Sequence, residues 1–385
     1  MNLYYVSPSV MPSRSANSIH VSRMCEAFSN AGYNVTLFVG GTSDDNSRSS
    51  LSAYYGVDYS DISIEIVKGE GRGLELRIAL LSMYCFLTSI FKKHVPEMIF
   101  SRNLYAAFFF AYLLKRKVVY ESHSPDTGFR KLLQKMVITR KRVTTVVISE
   151  ALKTVLMEHH DLDKACINVF HDAAPSGRNI QPKSKREGLR KTLYEEVGIT
   201  DNSLLVGYFG HLYSGRGLEV IQAMAAARPR VTFLVFGGNE SDISKRRKNN
   251  KLNNLYFGGY IAHNDAIQLM SAMDILLMPY QRQVSIGISG HDTAKWMSPM
   301  KMFEYLAAGV PIISSNLPVL TEILHNGENA LLVPPDDYSS WIEALDTLIN
   351  KPSLAASLAK QGHEDYASKY TWDIRSRNII DAMTN

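Results

Sequence analysis

Ser298-Pro299-Met300-Lys301-Met302-Phe303-Glu304-Tyr305-Leu306-Ala307-Ala308-Gly309-Val310-Pro311 is the stretch on which the reading of this chain turns. A hydroxyl at Ser298 can cap a helix, and a proline at the first helical position gives up no needed hydrogen bond. Gly309 is a helix stop. Between them Met302, Phe303, Leu306 and Ala307 form an apolar face, and Val310 to Ser314 reads as a short buried strand. The spacing predicts a helix of about three turns, with Lys301 in its first turn and an N-terminus that favours an anion. Glu304, one turn further on, suits the vicinal hydroxyls of a ribose. A phosphate end and a ribose end together describe a nucleotide. A cap, a helix and a strand of an ordinary α/β unit is the plainer reading, and the helix alone does not choose between the two.

The whole string, followed by Leu317-Pro318-Val319 and Glu322-Ile323, resembles the donor-binding signature of the retaining family 4 glycosyltransferases of the GT-B fold. Glu304 matches the second glutamate of that family's E-x7-E motif. The first would fall at position 296, which is Trp296. The resemblance implies an α/β chain of two Rossmann-like parallel-sheet domains facing across a cleft, with a C-terminal helix crossing back to the first domain. It places an acceptor domain at 1–180, a nucleotide-sugar donor domain at 181–365 and the returning helix at 366–385. It further implies transfer from a UDP- or GDP-linked sugar to a glycan or lipid-linked acceptor with retention of configuration, in surface-polysaccharide assembly.

Composition agrees with a globular protein of two domains: 385 residues, 45% hydrophobic and 21% charged. Cys25, Cys85 and Cys166 are odd in number and widely spaced, which predicts neither a disulfide framework nor a Cys-x-x-Cys metal site. Met1 to Pro8 lacks a basic start and a long apolar core, so the expectation is a cytoplasmic protein. The longest apolar run, Ile78 to Phe91, contains Ser82, Thr88 and Ser89 and is too short to span a bilayer. The first 180 residues hold 21 Lys and Arg against 16 Asp and Glu, so the entire +5 net charge lies there. Charge alone leaves nucleic acid, lipid head groups and a phosphorylated acceptor open as partners. The resemblance calls for no nucleic acid.

In chain order, Leu3–Ser7 and Val35–Val39 read as strands around a helix at Ile19–Ser29, the opening of a nucleotide-binding α/β fold. The absence of Gly-x-Gly-x-x-Gly argues against a dinucleotide oxidoreductase. In the resemblance a Gly-Gly pair in the first loop approaches the donor phosphates; Ser15 and Ala16 occupy that place. Leu74–Phe91 reads as a long helix, either a core helix or one lying on the inner membrane face with Arg77, Lys92 and Lys93 toward lipid. Gly128 to Arg142 is a second basic amphipathic segment, open between a surface-binding and a merely solvated face. Glu121-Ser122-His123 ends a strand at the edge where such folds bind ligands. His123 is by itself open between a structural and a functional role; the resemblance places it beside the transferred sugar.

Polar, basic and proline-containing 175–188 reads as the domain boundary. Beyond it, strand Leu204–Gly210, loop His211–Gly217 and helix Leu218–Ala227 make a second anion site with Arg216 at the helix start. The family pattern Gly-Arg-x4-Lys-Gly stands here as Gly210-His211 and Arg216-Gly217, so Arg216 keeps the lysine's charge and His211 replaces the arginine. Strand Val231–Phe236 ends at Gly237, and Tyr260 follows Leu255–Gly259 as the implied nucleobase contact. Gln281–Met297, with Gly287, Gly290, His291 and Asp292, reads as a lid. The donor contacts expected are therefore Ser15, Ala16, Gly210, His211, Arg216, Gly237, Tyr260, Ser298, Pro299, Met300, Lys301 and Glu304, with His123, Arg216, Lys301 and Glu304 in the chemistry. No Asp-x-Asp is placed to hold a metal against the diphosphate, so no metal and no cofactor is expected. A sugar-nucleotide epimerase and a non-catalytic binding protein on the same fold stay open.

Overall fold

The computed structural model describes residues 1–41, 48–68, 74–91, 96–162, 167–178, 180–198, 203–285 and 292–384. The chain divides into two compact units, Met1–Asp172 with Trp372–Asn385, and Ala173–Thr371. The breaks at 172 and 372 differ from the sequence expectation of 180 and 366. The reason is local: Ala174 and Thr371 form a parallel bridge, with the Ala174 N–H on the Tyr370 carbonyl at 3.0 Å, which draws both segments into the second unit.

The first unit runs β1 (Asn2–Met11), α1 (Ala16–Asn30), β2 (Asn34–Gly41), α2 (Arg48–Tyr55), β3 (Ile62–Lys68), α3 (Leu74–Phe91), β4 (Met98–Ser101) and α4 (Leu104–Phe108). A π-helical turn, Phe109–Leu113, continues α4 into β5 (Val118–Ser122), α5 (Gly128–Ile138), β6 (Val143–Val147), α6 (Glu150–His160) and β7 (Ile167–Val169). All seven strands pair in parallel in the order β3-β2-β1-β4-β5-β6-β7. Parallel strands are covered on both faces, which is why Leu3 to Val6 and Val118 to Ser122 are buried throughout. The Ser15 hydroxyl caps α1 by accepting the Ser18 N–H, and Ser149 caps α6 in the same way from Leu152. The last helix, α14 (Trp372–Thr384), packs on α1 within this unit. Cys25 and Cys85 are buried free thiols; Cys166, Lys92 and Lys93 lie outside the described residues.

The second unit runs α7 (Lys183–Val197), β8 (Leu204–Phe209), α8 (Leu218–Ala227), β9 (Val231–Phe236), α9 (Glu240–Asn249), β10 (Leu255–Gly259), α10 (His263–Met270) and β11 (Ile275–Met278). It continues with α11 (Met300–Ala308), β12 (Ile312–Ser315), β13 (Leu331–Val333), α12 (Tyr338–Asn350) and α13 (Pro352–Lys369). Its six parallel strands are ordered β10-β9-β8-β11-β12-β13. In each unit the chain builds outward from one central strand and then returns to build the other way, so the strand order reverses at β1/β4 and at β8/β11.

Two helices contradict or escape the sequence reading. The polar 175–188, which reads as the domain boundary, contains the start of α7, a helix too hydrophilic to show an apolar stripe. Side-chain bonds hold it instead: Arg190 grips Asp274 through both carboxylate oxygens at 2.7 and 2.9 Å, Arg186 reaches the Met273 carbonyl, and Leu193 is buried. Helix α9 is equally polar and begins at the Asn239 cap. A third difference concerns the opening string. Helix α11 starts at Met300 with Pro299 as its cap and no side-chain capping bond, so Ser298 is not the cap and the helix has nine residues.

Candidate functional site

In the second unit the carboxyl ends of β8 and β11 gather the sequence-predicted cations. Gly210 follows β8 at φ +151°, and a Cβ there would come within 3.3 Å of the Lys301 Nζ. Lys301, in the first turn of α11, holds that ammonium over the rings of Tyr208 (4.1 Å to the centroid) and Tyr280 (4.5 Å). Arg216 donates to the Tyr280 hydroxyl at 2.8 Å and to the Ser285 carbonyl at 3.2 Å, with its guanidinium 5.1 Å from the Tyr280 ring. Burial foremost, and then the neighbouring Arg216, hold the Lys301 ammonium well below the ordinary lysine range, with Glu304 acting the other way. Like charges pressed together under aromatic rings without an anion are costly, and a bound anion relieves that cost.

The glycines here are tied to close backbone approach. Gly217 has φ +79°, and a Cβ there would lie 1.8 Å from the Pro279 carbonyl oxygen, so the loop carrying Arg216 seats against the end of β11 only as glycine. A Cβ on Gly237 would stand 2.1 Å from the Gly210 oxygen. His211 stacks on Tyr213 at 4.9 Å, and the protein packed around its ring, followed by the nearby Arg216 and Lys301, lowers its pKa. Tyr260 is 47% exposed beyond β10.

Glu304 is buried and already partnered. Its Oε1 meets His263 Nε2, at the start of α10, at 2.6 Å. The other carboxylate oxygen points to no partner among the described contacts. Sequence reasoning missed His263, because its relation to Glu304 crosses 41 positions. Of the lid stretch, Gly287, Gly290 and His291 lie outside the described residues. Asp292 Oδ1 accepts the N–H groups of Val284 and Ala294, and Trp296 sits in the following turn.

The first unit has its own polar centre at the end of β5. Glu121 is buried, and its carboxylate takes Arg375 Nη2 at 2.6 Å on one oxygen. The other oxygen faces His123 Nε2 at 2.6 Å, His20 Nε2 at 3.1 Å and Arg102 Nε at 3.3 Å. Arg375 comes from α14 and also donates to the carbonyls of His171 and Phe170. Asp172 meets the other face of His20 at 3.0 Å. Burial alone would raise Glu121, but Arg375 first and then the two histidines hold it well below the carboxylate range. Burial and Arg102 push His123 down to about 4, against its bond to Glu121, so its ring is neutral at pH 7. His20, Glu121 and His123 could geometrically receive a metal ion. Two guanidiniums on the same carboxylate already neutralise it, which makes the trio a poor cation site. Ser15 caps α1 in a hydroxyl cluster with Ser13 and Ser18, and Ala16 opens that helix, exposed.

Residues 203–351 match the family described as glycosyl transferases group 1. Among solved structures, Anabaena Alr3699/HepE in complex with UDP superposes with a TM-score of 0.72 at 17% identity, covering 100% of both chains. This is the GT-B fold. A D-inositol 3-phosphate glycosyltransferase of Stackebrandtia nassauensis is 23% identical over 67% of this chain and 57% of its own length. A GDP-mannose-dependent monoacylated alpha-(1-6)-phosphatidylinositol monomannoside mannosyltransferase of Corynebacterium glutamicum is 22% identical over 69% and 70%. The chain thus spans little more than half of the first of these relatives.

Within this GT-B fold both polar centres lie at carboxyl ends of parallel strands, and the second straddles the strand-order reversal at β8/β11, where open α/β sheets bind ligands. Tyr208, Tyr280 and Glu121 had a legible signal, a polar residue at the end of an apolar strand. Arg102, His20 and Arg375 had none. One consequence is acid lability of the first unit. Both His123 and the fully buried His160 are held down to about 4, so the unfolded chain binds more protons between that value and the ordinary histidine value near 6.5. Stability is therefore present above about 6.5 and is lost as pH falls toward 4, at up to ~1.4 kcal/mol per pH unit per group. Glu121 and Asp172, both lowered, add loss of the same sign at lower pH. Melting followed at successive pH values should show this, and His160→Gln should flatten the profile; a midpoint unchanged from pH 7 to 5 would contradict it.

Proposed function

We propose that this chain is a glycosyltransferase that moves a sugar from a nucleoside-diphosphate donor, UDP- or GDP-linked, to a glycan or lipid-linked acceptor with retention of configuration, in glycolipid or surface-polysaccharide assembly. The observation that carries the reading is the convergence of Arg216 and Lys301 at the head of α11, with the Glu304 carboxylate one turn beyond. In this reading the diphosphate lies over the N-terminus of α11. Breaking the sugar–oxygen bond leaves negative charge on the departing diphosphate, and Lys301, Arg216 and the backbone N–H groups of the first turn stabilise it as it develops. Gly210 and Gly237 keep the strand ends open to the phosphates, and Tyr260 lies beside the base. Glu304, held by His263, offers its other oxygen to the ribose hydroxyls. His123, neutral and anchored through Glu121, presents its ring as a polar contact for the sugar or acceptor. The deposit of two cations at the diphosphate supports a reaction without a metal. Similar proteins support the donor class: one was solved in complex with UDP, and one is a GDP-mannose-dependent phosphatidylinositol monomannoside mannosyltransferase.

The test is release of nucleoside diphosphate from a panel of UDP- and GDP-sugars, with and without candidate acceptors, before and after EDTA. The expected outcome is acceptor-dependent release that survives chelation. Interconversion of the donor sugar without acceptor-dependent release would replace the reading by the epimerase, and complete loss on chelation restored by manganese or magnesium would overturn the metal-free part. Among the described residues no helix is long and apolar enough to cross a membrane. We place the chain on the cytoplasmic face as a peripheral protein. The charge excess of the first 180 residues, 21 Lys and Arg against 16 Asp and Glu, supports this.

A further inference from the structure

The six cations of 115–117 and 140–142 are a separate feature from both polar centres. Lys115, Arg116 and Lys117 lie between the π-helical turn and β5; Arg140, Lys141 and Arg142 lie between α5 and β6. β5 and β6 are adjacent parallel strands whose first residues, Val118 and Val143, pair, and the Val118 N–H bonds the Arg142 carbonyl at 2.9 Å. Both triplets therefore crowd the amino end of the sheet, opposite the end that carries His123. Five of the six are exposed and Arg140 is half-buried over the Tyr112 ring. None forms an ion pair among the described residues. Lys115 adopts φ +52°, a left-handed conformation that glycine or asparagine takes at less cost, so the turn holds a cation where its geometry favours a smaller residue.

Apolar side chains stand at the same level. Phe86 of α3 packs on Phe109 and Phe110 of the π-helical turn at 5.7 and 6.5 Å, which sets the two helices in register. Both lead into parallel strands, so their last residues share the amino end: Phe91, 78% exposed, and Leu113, 57% exposed. An aromatic and an aliphatic tip beside unpaired cations would meet an acidic protein surface through charge alone and leave both tips in water. They fit the headgroup layer of an anionic bilayer, where cations meet phosphates and apolar tips enter the acyl boundary.

We propose that this amino-end rim, rather than the length of α3 or the N-terminal part of α5, is the surface by which the protein docks on anionic lipid. The inference rests on the membrane reading above but specifies its residues and orientation. Strand β5 rises about 17 Å over its five residues, so with the strand along the membrane normal the His123 end stands about that far above the docked rim. An acceptor reached there is one whose growing end projects from the bilayer on several sugars, not a bare lipid carrier.

Flotation of the full chain with phosphatidylcholine vesicles, with and without phosphatidylglycerol, tests this. Wild type should float only with the anionic vesicles. Each cation contributes about fivefold in partitioning, so Arg116→Gln/Lys117→Gln/Arg142→Gln should reduce binding about a hundredfold. Phe91→Ser/Leu113→Ser should weaken it as well, whereas Met83→Ser/Leu87→Ser should not. Equal flotation with both vesicle types, none with either, or an undiminished rim triple variant overturns the proposal. Loss of flotation only in the Met83/Leu87 variant does too, and moves docking to α3. Salt-sensitive binding to duplex DNA without vesicle binding would point to nucleic acid instead. Thermal shift by UDP and GDP, measured on the same variants, should be unchanged throughout; its absence in wild type would count against the donor reading and leave the docking result standing.

Discussion

Arg375→Ala should destabilise the first unit by about 3–5 kcal/mol, because it strands the Glu121 carboxylate in a buried site with one of its two guanidiniums gone. The substitution lies on the last helix, far along the chain from the strand it serves, and it also removes the donors to the His171 and Phe170 carbonyls. Removing both charges together, as Arg375→Met with Glu121→Leu, should cost much less than the single change, since a buried pair replaced by apolar groups of similar volume is often near neutral. Chemical denaturation with a signal from the first unit measures both. Turnover should fall in both variants, because His123 loses the carboxylate that orients it, or that carboxylate's anchor, while UDP or GDP affinity in the second unit stays. An Arg375→Ala midpoint equal to wild type would remove Glu121 as the hub of this centre.

Lys301→Met should give changes of opposite sign in two measurements. The ammonium is held well below its ordinary range by burial and by Arg216, so the ligand-free protein should gain stability when the cation is replaced by an unbranched apolar chain against Tyr208 and Tyr280. A charge-assisted contact to phosphate is worth about 1.5–3 kcal/mol, so nucleoside diphosphate affinity should fall on the order of tenfold to a hundredfold. Arg216→Ala should show a similar loss of affinity without the gain, since it also abandons Tyr280 and the Ser285 carbonyl. Calorimetric titration with UDP and GDP, beside a melting curve of the ligand-free protein, reads both. Unchanged affinity in both variants would sink the diphosphate site. A lower melting point for Lys301→Met would mean that the cation has a structural partner.

Most of the alternation of strands and helices was legible because each element carries its own periodicity: continuous apolar runs such as Val231–Phe236 for strands buried on both faces, and an apolar stripe for α11. Helices α7 and α9 were not, since their hydrophilic sequences fold through bonds to distant groups. Arg190 needs Asp274, and Arg247 of α9 needs the Phe257 carbonyl. The helix start at Met300 rather than Pro299 is a matter of backbone angles that a serine before a proline does not settle.

By itself, then, the sequence determined what is local. It specified two parallel α/β units, a positive helix head at Lys301, a second cation at Arg216, a histidine at a strand end, and a charge excess confined to the first 180 residues. Only the tertiary structure decided which of these groups meet. Lys301 stands over Tyr208 and Tyr280, Glu304 is bonded to His263, and Arg375 closes on Glu121 across 254 positions. Two basic triplets, each an ordinary turn in sequence, become one rim because parallel strands bring their amino ends to the same edge. The division has a physical cause: propensity, capping and amphipathicity act over a few residues, while an ion pair or a ring under an ammonium depends on positions that only strand order and register define.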